Sequence, residues 1–386
     1  MRAFLGPDDM DVDAFAALLD RTLAPADVPH ASAIEHDVPI YDMGALRPAL
    51  EGDEPRLTLM GEWTHVLGEG AGVIVLRRAC GDTAPVDRAT ALFEKIIAEE
   101  KRGGSGRGDH FAASGANDRV WNAAQKHCLR DPEGFALYYG NPALAAAAEC
   151  WLGPHYQLTA QVNLVRPGGR AQTAHRDYHL GFQTAAEAAR FPAHAHAMSA
   201  ALTLQGAVAH CDMPVESGPT KLLPFSQLYE AGYLAFHDAA HRDLFERRCV
   251  QVPLRKGDAV FFNPALFHAA GENRTPDVER MANLLQISSA FGRAMEALDR
   301  DAMARALMPA LARLRTSNRM SEAEADAAIA AAAEGYSFPT NLDTDPPTDG
   351  IAPPTQAALM RRALAEDWSP LAFDAALRER AVKRTP

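Results

Sequence analysis

The chain has 386 residues, of which 47% are hydrophobic and 23% charged, and its formal net charge is −12. That length suits one large domain with additions, or two domains, and the composition is ordinary for a soluble globular protein. The acidic balance argues against broad binding to nucleic acid or anionic membranes, which needs a basic face.

Residues 9–23 read as a helix, with Phe15, Leu18, Leu19 and Leu23 near one face and Ala24-Pro25 ending the run. Residues 25–55 are rich in Pro and Asp and read as irregular surface. Gly72 to Leu76 is a short apolar run of strand type, and Asp87 to Lys101 is a helix with Leu92, Ile96 and Ile97 toward a core. The stretch Lys101 to Gly108 (KRGGSGRG) has its lysine before the glycines, so it lacks the order of a phosphate loop and reads as a mobile loop or lid. Asn141 to Leu152 is a further helix: Asn141 caps it, Pro142 suits its first turn, and Gly153-Pro154 stops it.

The texture then changes to strands. Gln157 to Val165 alternates, and Pro167-Gly168-Gly169 turns the chain. Met198 to His210 is apolar enough for a buried strand. Lys221 to Leu223 is a short run between turn residues, Ala259 to Phe262 follows the turn at Gly257, and Met281 to Ser288 is the last strong strand. Strands at this spacing, with a helical insert near 226–247, suggest a jelly-roll sandwich. Beyond Phe291 the pattern is helical again, through Met303, Leu307, Leu311 and Leu314, a capping box at Ser321 and Glu324, and a final helix opened by Ser369-Pro370 with Phe373 and Leu377 inward. Residues 337–354 read as a linker or surface loop.

The five cysteines are scattered without a C-x-x-C pair, and their odd number favours reduced thiols in a cytoplasm. The acidic start, Met1 to Asp11, lacks the apolar segment of a signal peptide, and no apolar run reaches the length of about 18 residues expected of a membrane span. A cytoplasmic protein is expected, with a small molecule rather than nucleic acid or membrane as its partner.

The chemistry centres on Thr173-Ala174-His175-Arg176-Asp177-Tyr178-His179. On an extended strand, His175 and Asp177 leave the same face and Tyr178 the other. An imidazole and a carboxylate on one face are half of a 2-His-1-carboxylate iron site, which leaves coordination positions open. His268, at the end of an apolar run, is the candidate second imidazole, although a histidine in such a run is commonly just a core residue. His175-x-Asp177-x-His179 is a rival ligand set with poor facial geometry, and His179 is expected to line the pocket instead. His194 and His196 lie between predicted strands, where surface or pocket roles outrank metal binding. An oxygenase using 2-oxoglutarate also needs a cation for the distal carboxylate. Arg280 opens the strand after His268 and would point inward, whereas its rival Arg274 sits in a turn-like segment.

These residues occur in one order with Gly218-Pro219-Thr220, Leu223 to Gln227, Gly257 to Asn263 and His268 to Asn273. The ordered set over about residues 60–290 resembles the phytanoyl-CoA dioxygenase family of Fe(II)/2-oxoglutarate oxygenases. The resemblance implies an α+β fold: a double-stranded β-helix (jelly roll, cupin-like) core with flanking helices and a helical C-terminal extension. The division expected is an N-terminal helical or irregular segment at 1–59, the oxygenase domain at 60–292 and the extension at 293–386. It further implies Fe(II) on His175, Asp177 and His268, 2-oxoglutarate on Arg280 with Gln161 or Asn163 beside its keto-acid end, and O2 as oxidant. Succinate and CO2 would be released. With Asp177 present, hydroxylation or a related oxidation is expected rather than halogenation. Phe225-Ser226-Gln227 departs from the Gly-Ser-His that the family often has, and the tail after 291 is outside its common core. Two other readings share the metal residues: a non-enzymatic cupin-type protein binding a metal or small ligand, and a zinc hydrolase, which the lack of a nearby general-base Glu disfavours.

Overall fold

The computed structural model describes residues 3–103, 117–347 and 350–385. Among the described residues the strands are β1 (Ala33–Glu35), β2 (Val38–Asp42), β3 (Val73–Arg77), β4 (Asn117–Val120), β5 (Gln157–Val165), β6 (Thr203–Ala209), β7 (Lys221–Leu222), β8 (Ala259–Phe262), β9 (His268–Ala269) and β10 (Arg280–Ser288). Eight form one sheet in the order β1-β2-β3-β8-β6-β10-β5-β4, and β7 pairs with β9 in a second. Isolated bridges, His175 to His268, Leu222 to Val250 and Met213 to Leu254, extend the second sheet. The result is an α+β fold with a jelly-roll core flanked by helices.

The register of the large sheet gives it two chemically different faces. Arg280, Ala282, Leu284 and Gln286 of β10 lie opposite Val165, Asn163, Gln161 and Thr159 of β5. Ala282, Leu284 and Gln286 also face Ala209, Ala207 and Gln205 of β6, and Ala207 and Gln205 continue to Val260 and Phe262 of β8. Because side chains alternate along a strand, these residues share one face. That face and the second sheet enclose a cavity of about 580 Å³. The alternate residues point to the helical side. There the buried amide of Asn283 donates to the hydroxyls of Tyr138 (3.1 Å) and Tyr139 (2.9 Å) on the helix Pro132–Tyr139.

Several expected elements form as the sequence suggests. The helix Pro142–Leu152 is capped by Asn141, whose side chain accepts from the N–H groups of Ala143 and Leu144. Ser321 and Glu324 cap Glu322–Ala332 reciprocally, and Phe373 and Leu377 are buried on Pro370–Arg384. Other expectations need correction. The first helix is only Val12–Leu18, with Phe15 packed on Tyr229 and Phe267. Residues 25–55 are not all irregular: β2 runs parallel to β3 and is buried, despite Pro39. Its apolar residues cover an edge that would otherwise be open. Residues 198–201 end a helix, Ala193–Ala201, instead of opening β6. The insert near 226–247 is three short pieces, Ser226–Leu228, Gly232–Ala235 and Ala239–Arg248. A further helix, Gln356–Ala365, has no counterpart in the expectations. The predicted glycine-rich loop lies outside the described residues from position 104 onward, including Arg107. No helix among the described residues is long and apolar enough to cross a membrane.

Candidate active site

The stretch around His175 does not form the expected strand. It makes a single bridge: His175 N donates to His268 O at 3.0 Å, and His268 N to His175 O at 3.1 Å. Two residues on, Asp177 N donates to Pro264 O at 3.1 Å, which keeps the segment extended. Tyr178 and His179 then take positive φ, 63° and 45°, and the chain turns into a short helical turn, His179–Phe182. The bridge alone is enough to put His175 beside His268, with ring centroids 4.5 Å apart.

Each imidazole is held the same way. The Nδ1 of His175 lies 2.8 Å from Thr173 O, and the Nδ1 of His268 lies 2.8 Å from Leu266 O. A backbone carbonyl at Nδ1 selects the tautomer with the proton there and leaves Nε2 as the lone-pair donor. Both Nε2 atoms face Asp177, at 3.8 Å from Oδ1 for His175 and 3.5 Å from Oδ2 for His268. One ligand atom from each residue falls within 4.8 Å of the others, and no second group of three such side chains is found among the described residues. Burial opposes ionisation of Asp177, but His175, His268 and the amide of Gln205 outweigh it, so the carboxyl sits well below the usual range. Burial, aided by His268, lowers the His175 imidazole. Two imidazoles presenting Nε2 and a carboxylate, converging from one side of a cavity, fit a divalent ion that prefers mixed nitrogen and oxygen ligands.

The remaining predicted residues separate clearly. Arg280 is buried and lines the same cavity, its Nη1 donating to Ser217 O (2.9 Å) and Gly271 O (3.2 Å). Burial lowers its guanidinium to about 10, which leaves it charged at neutral pH. Arg274 is exposed and is absent from the cavity lining. Gln161 and Asn163 both line the cavity, and Gln161 Oε1 and Asn163 Oδ1 are buried without a protein partner. His179 is not in the cavity lining: the left-handed turn at Tyr178 carries it away, and Tyr178 instead donates to Gln286 Oε1 at 2.6 Å. His194 and His196 belong to a helix, and His196 is buried against Ala188 O at 3.0 Å. Lys101, at the start of the predicted glycine-rich loop, pairs with Asp118 at 2.8 Å.

One contributor escaped the sequence reading. Gln205 of β6 donates from Nε2 to Asp177 Oδ2 at 2.5 Å. The available signal is its phase: it is a polar residue in line with Ala207 and Ala209, inside a strand that is otherwise apolar after Thr203. A second cavity of about 480 Å³, at Arg300, Tyr336 and Arg380, takes in none of the predicted site residues.

The sequence profile of the family described as phytanoyl-CoA dioxygenase (PhyH) matches residues 68–282, more than half of the chain. The dioxygenase trt7 of Aspergillus terreus (strain NIH 2624 / FGSC A1156) is 32% identical over 139 residues, 36% of this chain and 43% of that protein. The match thus spans less than half the length of this curated relative. Among solved structures, the non-heme alpha ketoglutarate dependent epimerase SnoN from nogalamycin biosynthesis is 21% identical, with 61% of this chain and 84% of that one covered and a TM-score of 0.42. The carbocyclase SnoK from the same biosynthesis is 20% identical, with 59% and 83% covered and a TM-score of 0.43.

Proposed function

The chain belongs to the phytanoyl-CoA dioxygenase family, and we propose that it is an Fe(II)- and 2-oxoglutarate-dependent dioxygenase. It would hydroxylate, or otherwise oxidise, a small organic molecule and release succinate and CO2. The observation that carries this reading is the His175–Asp177–His268 cluster opening into one cavity with the buried Arg280.

Fe(II) held by the three side chains would supply the activation of O2. Everything else is done by the chain. His175 and His268 present Nε2 because their Nδ1 atoms are fixed on backbone carbonyls. Asp177 stays ionised and is steadied by Gln205. Arg280 receives the distal carboxylate of 2-oxoglutarate through its planar fork, while Ser217 and Gly271 hold its other edge. The amides of Gln161 and Asn163 meet the keto-acid end of the co-substrate, donating N–H to its oxygens. Leu284, Val260 and Phe262 keep water from the reacting atoms. Residues 60–292 form the oxygenase domain, with 1–59 and the extension 293–386 packed on it; a core cluster running from Leu23 to Leu377 supports that packing. Five free cysteines support a cytoplasmic setting.

Arg280→Ala tests the reading. Removing one partner of a buried charge pair typically costs about 2–5 kcal/mol, so 2-oxoglutarate affinity should fall by at least about thirtyfold while metal binding is retained. Both are measurable by anaerobic titration calorimetry. Unchanged 2-oxoglutarate affinity, or none in the wild type, would favour the cupin-type binding protein.

A further inference from the structure

We propose that the oxidised substrate is a small carboxylic acid whose carboxylate is held by Arg242 and His237 in the active-site cavity. This rests on the oxygenase reading and names its substrate class. The first observation is the charge inventory of the cavity wall. Among its described lining residues stand four arginines, Arg119, Arg176, Arg242 and Arg280, against a single carboxylate, Asp177, which belongs to the metal cluster. A cationic cavity in a chain of net charge −12 concentrates small anions against the trend of the rest of the surface.

The arginines have separable duties. Arg280 is assigned to 2-oxoglutarate. Arg176 is a structural group: its guanidinium donates to Ser226 O and Tyr229 O and stacks on Tyr233 and Phe267. Arg119 lies over the Trp121 ring, 5.0 Å from its centroid. Arg242 differs from these. Its Nε donates to Phe236 O at 2.8 Å, and no carboxylate pairs with it among the described residues. The acids one turn away on its own helix are engaged, Asp238 with His241 at 2.8 Å and Glu246 with Lys221 at 2.6 Å. The two terminal nitrogens of a guanidinium are the pair that suits a carboxylate.

His237 stands beside it. Its ring lies on Phe236, with centroids 3.9 Å apart, and its Nε2 is buried without a partner. Burial lowers its imidazole, a backbone hydrogen bond at Gln183 opposes this, and the charge of Arg242 lowers it further; both side chains line the same cavity. A ligand carboxylate would answer both: it neutralises Arg242 and, by favouring the protonated imidazole, gives the buried His237 Nε2–H an acceptor. Phe182, Phe236, Trp121 and Met295 of the same wall offer apolar and aromatic surface to the body of the acid.

The test uses the full chain loaded anaerobically with Co(II) and saturating 2-oxoglutarate, so that Arg280 is already occupied. Phenylbutyrate, phenylbutyramide and phenylbutylamine, which share a body and differ in charge, are titrated by calorimetry. The acid should bind at least tenfold tighter than the amide, and the amine should not bind. Arg242→Ala should abolish the preference, Arg242→Lys should keep part of it, and 2-oxoglutarate affinity should not change in either. Equal binding of acid and amide, no binding of the acid at millimolar concentration, or a preference that survives Arg242→Ala would overturn the assignment. Failure of the wild type to bind 2-oxoglutarate would instead strike the oxygenase reading itself.

Discussion

Gln205→Leu removes a side-chain donor that steadies the Asp177 carboxylate without touching a residue of the metal cluster. Leu fills nearly the same volume, so the perturbation is electrostatic and geometric rather than a packing defect. The lost contact is an N–H of Gln205 on Asp177 Oδ2 at 2.5 Å, in a site where the carboxyl is half-buried and ionised. A hydrogen bond to a charged group contributes about 1.5–3 kcal/mol. At about 1.4 kcal/mol per factor of ten, that is a loss of roughly ten- to a hundredfold in metal affinity, the range also seen when outer-shell partners of metal ligands are removed. Anaerobic Co(II) titration, followed by visible absorption and by calorimetry, reads this directly and needs no substrate. Gln205→Glu should be worse than Leu, because a second carboxylate would face Asp177. Metal affinity within twofold of wild type in a folded Gln205→Leu protein would refute the idea that this contact orients Asp177.

Two further outcomes follow from the surroundings of the site. Gly218 has φ of +74°, and a Cβ there would stand 2.3 Å from Glu272 O and 2.6 Å from the carbonyl carbon of Gly271. Gly218→Ala should therefore cost at least about 2 kcal/mol by strain and backbone displacement, and should also weaken 2-oxoglutarate binding, because Ser217 and Gly271 hold Arg280; unchanged urea midpoint and unchanged affinity would sink it. On the helical side, burial pushes the His127 imidazole down to about 4 and that of His210 to about 3. The unfolded chain then binds more protons than the folded one below the ordinary histidine value, so stability holds above it and falls as pH drops toward the folded values. His127 alone should withdraw about 2 kcal/mol between pH 7 and pH 5, and His127→Phe should lose correspondingly less over that interval in urea unfolding; an equal drop in both proteins would contradict the burial argument.

Local pattern carried much of the outcome. The alternation of Gln157 to Val165 and of Arg280 to Ser288 decides by itself which side chains share a face, because the period of a strand is two. It put Arg280 in phase with Ala282, Leu284 and Gln286, and so on the cavity side, while Arg274 lies exposed in an irregular segment. Asn141 and Pro142 start a helix through chemistry confined to one turn. What the tertiary structure decided depends on partners far away in the chain. Val38–Asp42 looks irregular alone and becomes a strand because β3 offers it a ladder. Residues 198–201 end the helix Ala193–Ala201 where apolar content suggested strand, since composition without a clear period does not separate the two. The metal cluster is the sharpest case. His175 and Asp177 were expected on a strand, and what aligns them is one bridge to His268 and one backbone bond to Pro264. The duties of Gln205 and Arg242, and the exclusion of His179 by the left-handed turn at Tyr178, arise only once the second sheet closes over the first. Side chains distant in sequence are matched by burial and hydrogen bonding in three dimensions, and no short-range pattern encodes that pairing.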